Sequence, residues 1–254
     1  MGEHAAGGNA GLVGTASDQV PAILAEGDSG IGTLFISFAR RHPEGADADY
    51  LRWHSLDHRP EQYRLSALKA SLRLVSTPQC RAARAVSHPD FDAIDHVMTY
   101  FFADADGLQG FASLARALAD AGRVPFVLPP VQRGVYNVQQ RLADPDGKAG
   151  ADVLPWRPAC GVYLLLEESS APVDELVGIE GVAGLWTAVS QATPFSSVEA
   201  QQALTYLFLD DEPAAVAAKL KPLLEQRWQE HNIRPLLAAP FHTLVPWEWD
   251  RYLP

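Results

Sequence analysis

The chain has 254 residues, 47% of them hydrophobic and 20% charged, with a formal net charge of -11. That length and balance allow a sizeable core and exclude disorder or fibrous structure for the body, while the acidity excludes a nucleic-acid or anionic-membrane partner, which would need clustered Lys and Arg. No run approaches the roughly 18 consecutive apolar residues of a membrane helix, no basic n-region opens the chain, and Cys80 and Cys160 allow at most one bridge, so a cytoplasmic location is expected.

Residues 1–30 are rich in small side chains and are read as a flexible leader. Their glycines, in Gly7-Gly8-Asn9-Ala10-Gly11 and Gly27-Asp28-Ser29-Gly30-Ile31-Gly32, follow no strand and open no helix, so they are no phosphate cradle. The apolar run 34–40 predicts a buried first strand. A helix follows over Asp47-Ala48-Asp49-Tyr50-Leu51-Arg52-Trp53-His54-Ser55-Leu56-Asp57-His58, with Asp49 or Asp47 as N-cap and Pro60 as the stop near His58 or Arg59. Helical spacing puts Tyr50, Trp53, His54, Asp57 and His58 on one face, directed inward.

A second strand is predicted over 70–77 and a third over 95–102, where period two sets His96, Met98, Tyr100 and Phe102 against Val97, Thr99 and Phe101. A helix over 108–121 leads into a proline-bearing extended stretch, 124–130, suited to an edge or irregular strand. Turn residues from Asp144 to Gly150 mark a linker, 144–157. Beyond it come strands at 162–167 and 182–191 separated by a short run, 172–181, then Thr205-Tyr206-Leu207-Phe208-Leu209-Asp210, a helix over 213–229 and a proline-bearing stretch at 233–240. The aromatic end, Val245-Pro246-Trp247-Glu248-Trp249-Asp250-Arg251-Tyr252, is expected to pack on its own chain.

Internal similarity organises these elements. Thr99-Tyr100-Phe101-Phe102-Ala103-Asp104 recurs as Thr205-Tyr206-Leu207-Phe208-Leu209-Asp210, each running into an Ala/Leu-rich helix, and strand 34–40 answers strand 162–167. Each half reads β-α-β-β-α-β, so the expected fold is α+β: two ferredoxin-like repeats, 31–143 and 158–254, in one intrachain barrel. The second repeat has lost its first helix or kept one turn of it.

Tyr50-Leu51-Arg52-Trp53-His54-Ser55-Leu56-Asp57-His58-Arg59-Pro60, after a strand such as 34–40, resembles the EthD-like branch of the dimeric α/β-barrel superfamily. That branch carries an aromatic pair on its first helix followed by His-x-Pro, which His58-Arg59-Pro60 supplies; His54 stands where an aromatic residue is usual. The resemblance implies relatives in polyketide or aromatic metabolism, and a wider superfamily of haem-binding oxygenases and peroxidases, cyclases and isomerases. Two single units usually pair to complete its barrel, so a chain supplying both is expected as a monomer or homodimer.

The candidate site residues follow. His58 is read as general acid or base, or else as a helix-terminal histidine facing the dipole. Tyr100 and His96 are candidates to polarise a ligand oxygen, the alternative for Tyr100 being that it packs the barrel as Tyr206 does. Trp53, His54, Tyr50 and Met98 are candidates to line the binding site. His54 and His58 stand at metal-ligand spacing, but two ligands are not a site, and neither metal nor cofactor is expected. The leading reading is a cofactor-independent enzyme acting by proton transfer (a cyclase, isomerase, dehydratase or decarboxylase) on a small aromatic or polyketide-like molecule. A non-catalytic small-molecule-binding or accessory protein is the alternative. A haem-dependent oxygenase or peroxidase with a ligand from His54, His58 or His96 is the third.

Overall fold

The computed structural model describes residues 28–147, 149–198 and 201–251. Most of the expected leader and Tyr252 lie outside them. In chain order the elements are β1 (Thr33–Ala39), α1 (Asp47–Trp53), a π-helical turn (His54–His58), α2 (Arg59–Gln62), β2 (Leu68–Val75), α3 (Pro78–Ala82), β3 (Val86–Ser87), β4 (His96–Phe102), α4 (Gly107–Asp120) and β5 (Pro130–Ala143). The second half holds a 3₁₀ turn (Ala151–Trp156), β6 (Gly161–Glu167), a 3₁₀ turn (Asp174–Gly178), β7 (Val182–Ser190), β8 (Ala203–Leu209), α5 (Pro213–Glu230) and β9 (Pro235–Thr243). The first helix of the second half is thus reduced to one short turn.

The strands run β2-β4-β1-β5-β7-β8-β6-β9, with the two-residue β3 on the free stretch of β9. Within each half the order is second-third-first-fourth, the antiparallel ferredoxin-like arrangement. Two seams join the halves: β5 pairs with β7, and β9 pairs with β2 through Leu74↔Thr243 and Val75↔His242. Eight strands therefore close into one dimeric-α/β-barrel body within a single chain, which leaves few open edges to template other pairings.

Strand alternation divides the side chains into a barrel interior and an outer face. Leu34, Ile36 and Phe38 of β1, Val97 and Phe101 of β4, and Trp186 of β7 belong to one buried apolar cluster that fills the barrel. Phe101 sets its ring edge-on to Trp186 at 5.9 Å and to Tyr206 at 5.9 Å, so aromatic packing fills this part of the interior. The opposite residues of β1 and β4 face outward, where α1, α2 and α4 cover the first half and α5 covers the second.

Register corrects the letter match between the halves. Thr33 pairs with Phe102 and Gly161 with Leu209, so Phe101 answers Phe208 and Tyr100 answers Leu207. The repeated Thr-Tyr is one residue out of step with the fold. A one-residue slip turns a strand residue to the other face: Tyr206 is inside the barrel, whereas Tyr100 is on the outer face against α4. Tyr100 does not pack the barrel as Tyr206 does.

Three further expectations are revised. Neither Asp47 nor Asp49 caps α1; the Asp47 carboxylate instead accepts the His42 backbone N–H at 2.9 Å. Pro60 does not stop the helix. The chain widens into the π turn, where the Arg59 N–H reaches back to the His54 carbonyl, and Pro60 takes an early position of α2, where a missing N–H is tolerated. The stretch 124–129 forms no strand, as its prolines cannot donate to a ladder, and β5 starts only at Pro130.

Candidate functional site

On the outer face of the first half, between the sheet and its helices, lies a cavity of about 450 Å³, within the usual range for small-molecule sites. Its floor is the outward row of β1 and β4 (Phe35, Ser37, Met98, Tyr100) with Arg73 of β2. Tyr50, Trp53, His54, His58 and Gln62 form one wall. Phe111 of α4, Phe126 and Leu128 of the unpaired stretch, the exposed Arg133 of β5 and Phe195 of the β7–β8 connection are among the remaining lining residues. Outside the cavity, Arg123 holds the π turn and α2 to the end of α4 through Asp57 at 3.0 Å and Glu61 at 3.0 Å.

The π turn places its two histidines side by side, their rings 5.5 Å apart. His54 is buried, and its Nε2 lies 3.3 Å from the Tyr100 hydroxyl. Burial pushes the His54 pKa well below its ordinary 6.5, and the charge of Arg73 adds to that. His58 is half-buried, its ring 4.9 Å from that of Trp53. Burial lowers its pKa too, against the opposing pull of Asp57. Burial raises the Tyr100 pKa, so its phenol stays protonated at neutral pH.

The structure brings together six of the seven residues expected from sequence: Tyr50, Trp53, His54, His58, Met98 and Tyr100. His96 is not among the lining residues. Its Nε2 is held 2.7 Å from the buried Asp47 carboxylate, a contact that ties the start of α1 to β4. Asp57, expected on the inward face, turns outward to Arg123 because the π turn rotates the helix there. Arg73, Gln62, Phe35 and Phe111 were not singled out from sequence. Arg73 left a signal: it is the one charged residue in the run Leu72-Arg73-Leu74-Val75, on the outward side of an otherwise apolar strand end.

Four residues that line the cavity each carry a buried polar atom with no hydrogen-bond partner among the described residues: His54 Nδ1, His58 Nδ1, Gln62 Oε1 and Arg73 Nε. Buried polar groups are nearly always paired, so these four add polarity behind an aromatic lining; similar unpaired atoms occur elsewhere in the fold, Tyr163 and Tyr206 among them. Haem, which the superfamily resemblance raises, does not fit this donor set. An axial histidine as a rule donates its second ring N–H to a carboxylate or carbonyl. Neither His54 nor His58 has such a partner, and the histidine that has a carboxylate, His96, does not line the cavity. Among the described residues, no group of three or more His, Cys, Asp or Glu side chains could hold a metal ion, nor is any helix long and apolar enough to cross a membrane.

The depressed histidines set a pH dependence of stability. A histidine kept neutral by burial contributes stability that is fully present above the unfolded value near 6.5 and is lost as pH falls through the lower folded value. The loss is about 1.4 kcal/mol for each unit between the two values. The urea midpoint is therefore expected to fall between pH 7.5 and pH 5.0, and less steeply in His54→Asn. Equal slopes in the two proteins would show that His54 is not held neutral.

No protein-family model and no curated protein sequence matches the chain. Among solved structures, it is similar to a candidate chlorite dismutase, with a TM-score of 0.50 and 10% identity over 87% of this chain and 98% of that one. An anthrone oxidase-like protein superposes with a TM-score of 0.45 at 11% identity, over 86% of this chain and 94% of that one. A dye-decolorizing protein from V. cholerae gives 0.47 at 9% identity, over 89% and 99%. At such identities the likeness is one of fold alone.

Proposed function

We propose that the first-half cavity binds a small, largely planar aromatic molecule and that the protein is a cofactor-independent enzyme acting on it by proton transfer. The observation that carries this reading is an aromatic-walled hollow of about 450 Å³ lined by His54, His58 and Tyr100. The EthD-like resemblance of His58-Arg59-Pro60 points the same way.

In this scheme His58, neutral because burial disfavours its charge, takes a proton from carbon next to a ligand carbonyl. The C–H electron pair moves into the carbonyl, giving an enol-type oxygen that the Tyr100 O–H stabilises. The scheme requires the His54 tautomer that carries its proton on Nε2, 3.3 Å from the Tyr100 oxygen, where it orients that hydroxyl. Return of the proton from the His58 imidazolium to a different carbon completes an isomerisation. The same abstraction begins a cyclisation or a dehydration.

Solvent-deuterium exchange into bicyclic aryl ketones such as 2-tetralone, followed by proton NMR, tests this. Exchange above the buffer rate that is lost in His58→Gln supports the proton-transfer reading. Buffer-rate exchange combined with saturable ligand-induced thermal stabilisation would instead assign the chain to the non-catalytic binding proteins.

A further inference from the structure

Arg73 carries more than the proposed chemistry uses. Its side chain is buried, its Nη2 donates to the Tyr50 hydroxyl at 2.7 Å, and its guanidinium carbon stands 5.1 Å from the centre of the Tyr50 ring. The other buried arginine of the fold's outer face, Arg227, meets a carboxylate through two oxygens. Arg73 meets none: among the described residues no Asp or Glu lies within ion-pair distance of it, and its Nε has no partner. No carboxylate lines the cavity either, although acidic residues outnumber basic ones 31 to 20 in the chain. A buried cation is costly unless it is paired, and a planar guanidinium is built to meet two oxygens of an anion.

We propose that the ligand of this cavity is an aromatic carboxylic acid whose carboxylate pairs with Arg73, its ring system lying among Phe35, Phe111 and Phe126. This rests on the cavity being a small-molecule site, but not on its being catalytic. The negative oxygens meet the guanidinium where Arg73 borders the cavity, the Tyr50 hydroxyl fixes Nη2, and the apolar body takes the aromatic wall. Arg73 is then a specificity-determining residue that selects acids over neutral molecules of the same shape. Its positive charge also reinforces the neutrality of His54 and His58, and the arriving carboxylate would offset that charge.

Isothermal titration calorimetry with 2-naphthoate and its neutral counterpart 2-naphthamide tests this on the full chain. The wild type is expected to bind the acid at least 10-fold more tightly than the amide, and Arg73→Met to abolish that preference while leaving amide binding in place. Arg73→Met gives up the buried bond to the Tyr50 hydroxyl together with an unpaired charge, two effects of opposite sign, so its melting temperature without ligand is measured alongside. If it melts lower, Arg73→Lys serves as the second variant and should retain part of the acid preference. Equal affinity for acid and amide in the wild type overturns the role of Arg73 and leaves the small-molecule site standing. Binding of neither compound overturns both.

Discussion

Glu167→Ala is expected to destabilise the fold by about 3–5 kcal/mol, the usual cost of leaving one member of a buried ion pair unpaired. For a chain of this size that lowers the melting temperature by about 6–20 °C. Glu167 ends β6, and its carboxylate oxygens lie 2.6 and 3.1 Å from the Arg227 guanidinium of α5, while Trp228 Nε1 donates to it at 2.6 Å. Arg227 also donates to the carbonyls of Pro172 and Ala171, so it pins α5 to the segment that replaces the missing helix. Removing the carboxylate strands a guanidinium whose side chain is 1% exposed. The double variant Glu167→Leu/Arg227→Met is expected to recover most of the loss, because it removes both charges and their desolvation together. A single variant within about 1 kcal/mol of the wild type in urea denaturation, a shift typical of ordinary substitutions, would show that water reaches the pair.

The same pair helps explain why the candidate site belongs to the first half. By register, Glu167 in β6 occupies the position that Ala39 occupies in β1. Ala39 leaves space and lines the cavity, whereas Glu167 fills its space with a carboxylate and draws α5 down onto the sheet. One register position thus borders the aromatic cavity in the first half and carries the clamp in the second, where the ion pair itself lines a separate hollow of about 490 Å³.

What the sequence shows of this architecture depends on burial. Strands buried on both faces, such as the β4 run His96-Val97-Met98-Thr99-Tyr100-Phe101-Phe102, stand out as apolar blocks, and the long Ala/Leu-rich helices are equally plain. β5 was not legible: the sequence puts the fourth strand of the repeat at 124–130, ahead of where it forms. Half of it is partly exposed and polar, and its register follows from pairing with two strands distant in sequence. The α1 face was readable because aromatic and histidine residues recur at helical spacing, yet the π turn was not. It is a local widening that depends on Pro60 being carried through the helix rather than ending it, and packing decides between those outcomes. His96 was misplaced for a similar reason. Strand alternation gave its face correctly, but not the Asp47 carboxylate that covers it there.

His58→Gln is expected to lower proton-transfer turnover by about 10²–10⁴-fold with little change in melting temperature, since glutamine keeps polarity and approximate bulk but offers no base. Little stability should depend on the residue: His58 is half-buried, and its Nδ1 has no bond to lose. The pH profile separates a base from a merely structural histidine. The neutral form is the active one, and burial holds the His58 pKa below 6.5, so kcat/KM should rise with pH along a limb lying below that value and level off above it. Tyr100→Phe should leave that limb where it is and lower the plateau, because the phenol stays protonated across the range and acts only as a donor. A limb unmoved in His58→Gln would transfer the role to His54, the other neutral imidazole on the cavity wall. His54→Asn is then the deciding variant: loss of the limb there, with Tyr100 still in place, would make the π turn's first histidine the base and its second the ring that Trp53 packs against.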